Sequence, residues 1–234
     1  MNLDRRGERP LVIGHRGAAA VAPENTRAAL RAAVAGGADV VEFDISPGLV
    51  LGHSPDELPQ EHISLEDAFE ELKPHPVGLH LDVKLPGYET EVVDAVRRHG
   101  LDGRAYFSTA YAQSARRLAA LAPDLGVAIG YPRDRYGVSK APWPAGAKRA
   151  GAATLRQAMP IRVPILLRQA RATVLSLHHT LCSRASVAAS HRAGAPVLAW
   201  TVNDPADVRR VLAAGVDGIV SDDPEMVLAT LLAQ

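Results

Sequence analysis

Short apolar runs alternate with stretches of helical periodicity along the 234 residues of the chain. Residues 11–14 form the first run, and His15, Arg16 and Gly17 follow it directly. An aliphatic run of this length is typical of a strand that is buried on both faces. We therefore expect a buried strand that ends in a loop carrying a base, a fixed positive charge and a permissive backbone position.

The other apolar runs follow the same order, each preceding a helical pattern. The predicted strands are 11–14, 39–45, 77–84, 105–108, 125–130, 172–177, 197–202 and 218–221. The predicted helices are 25–35, 64–72, 90–99, 112–121, 164–171, 183–192, 205–214 and 224–232. A short extension is expected at 49–53. Residues 131–152, which combine proline, glycine and basic residues, are expected to form a long loop.

This alternation predicts one α/β domain over residues 1–234, folded as a closed (β/α)8 barrel, or TIM barrel. Strands that are apolar nearly throughout favour a parallel sheet with both faces covered. An open, doubly wound sheet is the alternative, but no Gly-x-Gly-x-x-Gly turn follows the first predicted strand. In a barrel, the active site lies where the strands end at the carboxyl face.

Composition and charge narrow the class of protein. Hydrophobic residues make up 47% of the chain, which is enough for a globular core. Lys and Arg together number 26, as do Asp and Glu, so no net charge draws the chain to nucleic acid or to an anionic membrane. No apolar stretch reaches the length of a membrane span, and the charged first ten residues do not resemble a signal peptide. We expect a cytoplasmic protein whose single cysteine, Cys182, is buried and inert.

Polar and aromatic side chains collect where the predicted strands end. They are His15, Arg16, Glu42, Asp44, His53, Asp82, Lys84, Ser108, His178, Trp200, Asn203 and Asp222. Glu42 and Asp44 lie two positions apart, so they lie on one side of their strand. The same spacing relates Asp82 to Lys84, and we expect both pairs to point into the barrel mouth.

Three carboxylates that converge there repel one another, by about 4 kcal/mol for each pair ~4 Å apart at an effective dielectric of ~20. A hard divalent cation removes this cost, and an all-oxygen ligand set selects Mg²⁺ or Ca²⁺ over zinc. One such cation, with Arg16 and Lys84, balances the carboxylates and one more negative charge. A phosphodiester, a sulfate ester or a carboxylate fits that balance. The alternative is structural ion pairing inside the barrel, for example of Asp44 with Arg16 and of Asp82 with Lys84.

Two groups of motifs stand near the two ends of the chain. The first comprises His15-Arg16-Gly17, Pro23-Glu24-Asn25-Thr26, the Ala-Asp-Val-Val-Glu-Phe-Asp run at 38–44, and His53. The second comprises Ala-Trp-Thr-Val-Asn at 199–203 and Gly-Val-Asp-Gly-Ile-Val-Ser-Asp at 215–222. Together they resemble the glycerophosphodiester phosphodiesterase family, of the phosphatidylinositol phospholipase C-like superfamily, over nearly the whole chain.

The resemblance implies a metal-dependent phosphodiesterase that releases sn-glycerol 3-phosphate and an alcohol from a small phosphodiester. It also implies a role for each matching position. The implied residues are Glu42, Asp44 and Asp82 for the metal; Arg16 and Lys84 for the phosphate oxygens; His15 and His53 as general acid and base; Trp200 for the glycerol side; and Glu24 and Asn25 in support of His15 and its loop.

Three departures from the family pattern bear on the substrate. The family usually has Glu where this chain has Asp82, so the third ligand is one methylene shorter. The turn and the His-Asp pair after the second strand are reduced at 46–48 and 53–54, and the usual insertion is nearly absent. Without that insertion the mouth of the barrel would be open, and it would admit a bulkier substrate such as a lysophospholipid. The same residues would also suit a cyclising transferase, or a degenerate barrel that binds phosphate without turnover.

The remaining titratable residues are interpreted as structural. His178 and His179 are expected to form structural hydrogen bonds, with contact to substrate as the alternative. Asp222 is expected to cap the last helix rather than to bind metal. The histidines expected at the surface or in packing are His62, His75, His80, His99 and His191.

Overall fold

Eight parallel strands and one short antiparallel strand form a single sheet in the part of the chain that the structure describes. The computed structural model describes residues 1–6, 8–54, 58, 62–133 and 145–233. The short strand β3 (Val50–Leu51) runs antiparallel to β2. The parallel strands are β1 (Leu11–Gly14), β2 (Val40–Ser46), β4 (Gly78–Val83), β5 (Ala105–Thr109), β6 (Gly126–Tyr131), β7 (Val174–His178), β8 (Val197–Trp200) and β9 (Gly218–Ser221).

The sheet closes because β1 pairs with β9 on one side and with β2 on the other. Ile13 lies beside Val220 of β9 and beside Val40 of β2. Since the first and last parallel strands are paired, the prediction of a closed (β/α)8 barrel is confirmed and the open sheet is excluded. The predicted bounds of the parallel strands agree with the observed ones to within two residues.

Helices follow the strands around the barrel. They are α1 (Arg27–Ala35), α2 (Leu65–Leu72), α3 (Glu89–Arg98), α4 (Ala112–Leu121), α5 (Ala145–Ala170), α6 (Arg184–Arg192), α7 (Pro205–Ala214) and α8 (Pro224–Leu232). Ser64 and Asp67 form the expected capping box at the start of α2. None of the helices in the described ranges has the length and apolar content that crossing a bilayer requires.

The helix α5 contradicts two predictions, the loop at 131–152 and the helix start at Pro164. It begins at Ala145 and contains Pro160 and Pro164 in its interior. Because the ring of proline suits the first position of a helix, the sequence pattern favours a start at Pro164. Residues 134–144 of the expected loop lie outside the described residues.

Tertiary packing explains how α5 continues through its prolines. Each proline lacks an N–H donor, so a carbonyl one turn earlier loses its usual helical partner. Met159, Val163 and Leu167 are nevertheless buried along one face of the helix, with 0–5% of their surfaces exposed. Burial of such a stripe supplies most of the stability of a helix in a protein, and propensity supplies less.

The core has two apolar layers, one between helices and strands and one inside the barrel. Phe43 and Phe107 belong to the outer layer, whereas Ile13, Val40 and Tyr106 belong to the inner one. Alternation along each strand separates the two layers. The inner layer ends below the carboxyl face of the barrel, where the same strand faces carry polar side chains.

Gly17 allows the loop after β1 to pass close to α1. Its φ is +83°, and its N–H donates to the carbonyl of Glu42 over 2.9 Å. A Cβ at this position would lie 2.4 Å from the backbone of Ala29. The glycine therefore fixes the position of the loop that carries His15 and Arg16.

Gly17→Ala should destabilise the protein by about 3 kcal/mol or more, because a left-handed φ and a backbone clash act together. Gly48→Ala is the matched control, since Gly48 has a φ of +86° and open space around it. That variant should lose only about 1 kcal/mol. Denaturant unfolding measures both, and equal losses would show that the close approach to α1 does not matter.

Candidate active site

Three carboxylates converge at the carboxyl ends of β2 and β4. Glu42 and Asp44 project from β2, and Asp82 lies beside Asp44 in the register of the two parallel strands. Each carboxylate offers one oxygen, and the three oxygens lie within 4.8 Å of one another. Glu42 and Asp44 are 3% and 1% exposed, and Asp82 is half-buried. The expected convergence of these groups is therefore observed.

Lys84 lies between two of these carboxylates. Its Nζ lies 2.9 Å from Asp44 Oδ1 and 2.7 Å from Asp82 Oδ2. These contacts match the ion pairing that the alternative interpretation of the sequence expected for Asp82. The ammonium of Lys84 does not contact Glu42, so Glu42 forms no ion pair among the described residues.

The pKa values of Glu42 and Asp44 are shifted in opposite directions. Burial, followed by the repulsion of Asp44, raises the pKa of Glu42 to about 8. Burial alone would also raise the pKa of Asp44. Lys84, His53 and Arg16 together hold the pKa of Asp44 well below its ordinary value. Glu42 is therefore the carboxylate in this group that lacks a cation.

Arg16 connects the β1 loop to the carboxylates. Its backbone N–H donates to Glu42 Oε2 over 2.7 Å, and its Nη1 donates to Glu24 Oε2 over 2.6 Å. Its Nε lies 3.0 Å from Asp44 Oδ2 as an ion pair that lacks the alignment of a hydrogen bond. The residue has a φ of +51°, so the loop holds it in a left-handed conformation.

Asn25 fixes the orientation of Asp44. Its side-chain oxygen accepts from the N–H of Asp44 over 3.0 Å, and its Nδ2 donates to Asp44 Oδ2 over 3.2 Å. Its own N–H donates to the carbonyl of Arg16. From the sequence, Glu24 and Asn25 are expected to support His15 and its loop. In the structure, the side chain of Glu24 binds Arg16 of that loop, and the side chain of Asn25 binds Asp44.

His15 is held by Asp222, which corrects the expected role of that aspartate. His15 Nδ1 lies 2.6 Å from Asp222 Oδ1, and the N–H of Asp222 donates to Asn203 Oδ1 over 3.0 Å. The last helix is capped instead by the next residue, Asp223, whose Oδ1 accepts from the N–H of Met226. Two adjacent aspartates before a helix offer equal capping signals in sequence, so the sequence alone could not separate their roles.

His53 approaches the same group from the segment after β3. Its Nδ1 lies 3.0 Å from Arg16 Nη2 and 3.4 Å from Asp44 Oδ2. The side chain is 42% exposed, so the ring is accessible from the mouth. The two histidines thus lie on different elements, and both line the same cavity.

His80, expected from the sequence at the surface or in packing, stacks on the ring of Tyr106 with centroids 4.4 Å apart and also lines the cavity. It is 3% exposed, its Nε2 lies 2.7 Å from Ser108 Oγ, and Ser108 donates to Asp82 Oδ1 over 2.5 Å. Since the serine donates to the carboxylate, it accepts from the imidazole. Burial lowers the pKa of His80 to about 4 and so keeps the ring neutral. Its place two residues before Asp82 was the available signal, because residues at that spacing share a strand face.

A cavity of ≈ 940 Å³ joins these groups to the barrel mouth. Trp200 lines it, and the ring of His178 meets the indole edge-on with centroids 5.2 Å apart. His178 also lies 2.9 Å from Thr180 Oγ1, so it forms the expected hydrogen bond while facing the cavity. Beyond the charged groups, the wall includes the apolar side chains of Leu85 and Leu155.

His179, His191 and Cys182 lie outside the cavity. His179 contacts Asp207 and Arg210 and does not line the cavity. His191 contacts Asp217 over 2.7 Å. Cys182 is buried, and burial raises the pKa of its thiol to about 12, as expected for an inert residue.

The sequence matches the model of the glycerophosphoryl diester phosphodiesterase family over residues 15–46 and 57–226. The chain belongs to this family. Residues 47–56, between the two matched stretches, fall in the segment after β2, where the motifs of this chain depart from those of the family. The matched stretches include the three carboxylates, Glu42, Asp44 and Asp82, and the two basic residues beside them, Arg16 and Lys84.

Relatives of this phosphodiesterase family match the chain over nearly its whole length. A glycerophosphodiester phosphodiesterase of Caldanaerobacter subterraneus is 25% identical over 93% of this chain and 96% of its own. Solved structures show the same fold. A glycerophosphodiester phosphodiesterase of Parabacteroides distasonis has a TM-score of 0.73 at 19% identity, covering 96% of this chain and 97% of its own. An Oleispira antarctica phosphodiesterase in complex with the product sn-glycerol-3-phosphate has a TM-score of 0.71 at 24% identity, covering 95% and 96%.

The carboxylate cluster of this family member could hold a divalent cation. Glu42, Asp44 and Asp82 offer only oxygen ligands, which suit hard cations. The buried Glu42, whose raised pKa reflects burial and Asp44, would regain its ionised form beside such a charge. The donor set therefore fits the metal that the resemblance implies.

Asp222→Asn should lower the pKa of His15. Burial lowers that pKa, but the hydrogen bond to Asp222 and the negative charges of Glu42 and Asp44 together more than offset burial, so the pKa is raised in the folded protein. Asp222 itself has a lowered pKa. The pair therefore stabilises the fold between those two values, and this stability is lost as the pH rises through the pKa of His15 or falls through that of Asp222.

An NMR titration of the His15 ring measures the effect. Asp223→Asn is the matched control, because it removes the same charge one residue away and keeps a capping side chain. A similar fall of the His15 pKa in both variants would contradict the specific role of Asp222.

Ser108→Ala should weaken the binding of divalent cations about ten-fold, because Asp82 would lose the hydroxyl that orients it. Isothermal titration with Mg²⁺ and Ca²⁺ measures this affinity. Ser176→Ala is the control, since Ser176 lines the same cavity and forms no hydrogen bond to the carboxylates among the described residues. Equal affinity in both variants would show that Ser108 does not position a ligand.

Proposed function

We propose that the protein hydrolyses glycerophosphodiesters to sn-glycerol 3-phosphate and an alcohol. The observation that carries the proposal is a cluster of three carboxylates, two of which line one cavity together with two fixed cations and two histidines. The names of the relatives support the same reaction, and the Oleispira phosphodiesterase was solved with sn-glycerol-3-phosphate as its product.

The substrate charge follows from the charges of the cavity. Glu42, Asp44 and Asp82 would hold one divalent cation, Mg²⁺ or Ca²⁺, because all their ligand atoms are oxygens. When bound, this cation would supply Lewis acidity toward a phosphoryl oxygen. With Arg16 and Lys84 counted, the site has room for one further negative charge, which a phosphodiester carries.

Arg16 and Lys84 would bind the non-bridging oxygens of the phosphate. Both side chains line the cavity, and both are mostly buried, with 19% and 16% exposed. Charge-assisted hydrogen bonds are strong in such surroundings. Glu24 and the carboxylates fix the two cations before substrate binds, so little orientation would be lost on binding.

His15 and His53 would transfer the protons of the reaction. Asp222 keeps Nδ1 of His15 protonated and favours the imidazolium, so His15 suits the donation of a proton to the leaving alcohol. His53, the more exposed ring, would accept a proton from the attacking water. Trp200 would contact the glycerol moiety from the β8 side of the cavity.

A bulkier substrate such as a lysophospholipid, which carries an acyl chain on its glycerol, is favoured by one observation. The cavity of ≈ 940 Å³ extends past the charged groups to a wall that includes Leu85, Tyr111 and Leu155. This volume is near the upper end of ordinary ligand pockets, which are about 300–1,000 Å³. An acyl chain would pack against such a wall.

His15→Ala and His53→Ala should each lower kcat by about 10²- to 10⁴-fold, because each removes a proton-transfer group. Glycerophosphocholine and lysophosphatidylcholine are the substrates, each assayed with EDTA and with added Mg²⁺ or Ca²⁺. His62→Ala, at an exposed position of the described chain, is the control and should keep full activity. Circular dichroism checks that each variant is folded.

The products and the metal dependence separate hydrolysis from cyclisation and from binding alone. Phosphorus NMR should show sn-glycerol 3-phosphate or its acylated form, whereas a cyclic phosphate would indicate the transferase. Binding of phosphate without any turnover in the wild type would indicate a degenerate barrel. Full activity of both histidine variants would reject the proposed roles.

A further inference from the structure

The neutral chain has a strongly uneven charge distribution. Residues 125–203 contain 11 Lys and Arg residues but one acidic residue, Asp134. The remainder of the chain holds the other 15 basic and 25 acidic residues, so charges of +10 and −10 cancel only in the total. The helix α5 lies at the centre of the basic region and contains five basic and no acidic residues.

The described basic residues of α5 lack ion pairs. Arg156, Arg162 and Arg168 are exposed, and no carboxylate of the described residues lies within 4 Å of them. Arg162 instead lies over the ring of Tyr131, at 5.5 Å. Arginines on other helices, such as Arg31 of α1, pair with acidic neighbours at 2.7 Å. The positive charge of α5 is therefore available to an external anion.

Two large apolar side chains lie among these arginines. Ile161 is 74% exposed and Ile165 is 44% exposed. They lie one turn apart, on the side of α5 opposite to the buried Met159 and Val163. Arg168 lies on the same outer side, so this face combines apolar and cationic groups.

The same helix reaches the cavity. It has 26 residues, about 39 Å at 1.5 Å per residue, whereas the other helices have 8 to 10 residues. Ala152 and Leu155, in its first half, line the cavity. The outer face at 161–168 begins six residues after Leu155, about 9 Å further along the helix axis.

We propose that the outer face of α5, defined by Ile161, Arg162, Ile165 and Arg168, docks on an anionic lipid surface. A nucleic acid would match the charge but not the exposed isoleucines. A second copy of this chain would bring its own unpaired arginines against these and be repelled. An anionic membrane satisfies both features, because its headgroups attract arginine while its interfacial region accepts isoleucine.

This inference concerns binding alone and does not rest on the proposed hydrolysis. A protein without activity could still bind lipid, and an active enzyme could fail to bind. The experiment therefore measures sedimentation with vesicles of phosphatidylcholine alone and of phosphatidylcholine mixed with phosphatidylglycerol. Binding to the mixed vesicles alone, weakened by added salt, is the expected result.

Two double variants test the face. Arg162→Gln with Arg168→Gln should weaken binding about 25-fold, from a factor of roughly five for each arginine near an anionic surface. Ile161→Ser with Ile165→Ser should weaken it on the order of ten-fold, since partly buried apolar area is removed. Salt should affect the second variant as it affects the wild type, because its charge is unchanged.

The matched controls lie on other helices. Arg31→Gln with Arg98→Gln removes the same charge from exposed positions of α1 and α3, and Leu232→Ser removes a side chain that is 85% exposed. Both should bind like the wild type. Equal losses in controls and test variants, or equal binding to neutral vesicles, would overturn the proposal. A dimer that only the α5 variants dissociate would also overturn it and identify a second copy as the occupant.

Discussion

The geometry of the site depends on the burial of Asp44. An ionised carboxylate that is 1% exposed is stable only when its surroundings compensate for the lost water. Asn25, Lys84 and Arg16 supply that compensation from three different parts of the chain. In doing so they fix the β1 loop, the end of β2 and the end of β4 relative to one another. The groups proposed to bind phosphate are thus positioned by the same contacts that keep a buried charge ionised.

The barrel was predictable from sequence because its strands are apolar on both faces and its turns carry Gly, Ser and Asp signals. Strand β9 and helix α7, for example, are found with the predicted bounds. The start of α5 was not predictable, because Pro160 and Pro164 locally oppose a helix that only packing against the barrel can maintain. Local signals specify an element well where they agree with packing, and poorly where packing must override them.

The candidate site was partly predictable for the same reason. The spacing of Glu42 and Asp44 gives their common direction, and motif resemblance supplies the partner positions. The contact between His15 and Asp222 joins residues 207 positions apart, and no spacing rule predicts it. The net charge of the chain also gives no sign of the positive charge on the outer face of α5. An excess of ten acidic residues in the rest of the chain cancels the excess of ten basic residues at 125–203. The exposure of that face became visible only when the fold placed it.

His80, Asp82 and Lys84 reach the mouth because they occupy alternate positions of one segment, formed by β4 and the residue that follows it. A single-residue insertion or deletion within that strand would turn all three away together, since each position faces the opposite side from the next. A change in the length of β4 would therefore keep these side chains at the mouth only in even steps. The segment after β2 carries no such restriction, and it is there that this chain differs in length from the pattern of its family. Evolution of new substrate preferences in this barrel would therefore proceed by lengthening and shortening loops around strands of constant length.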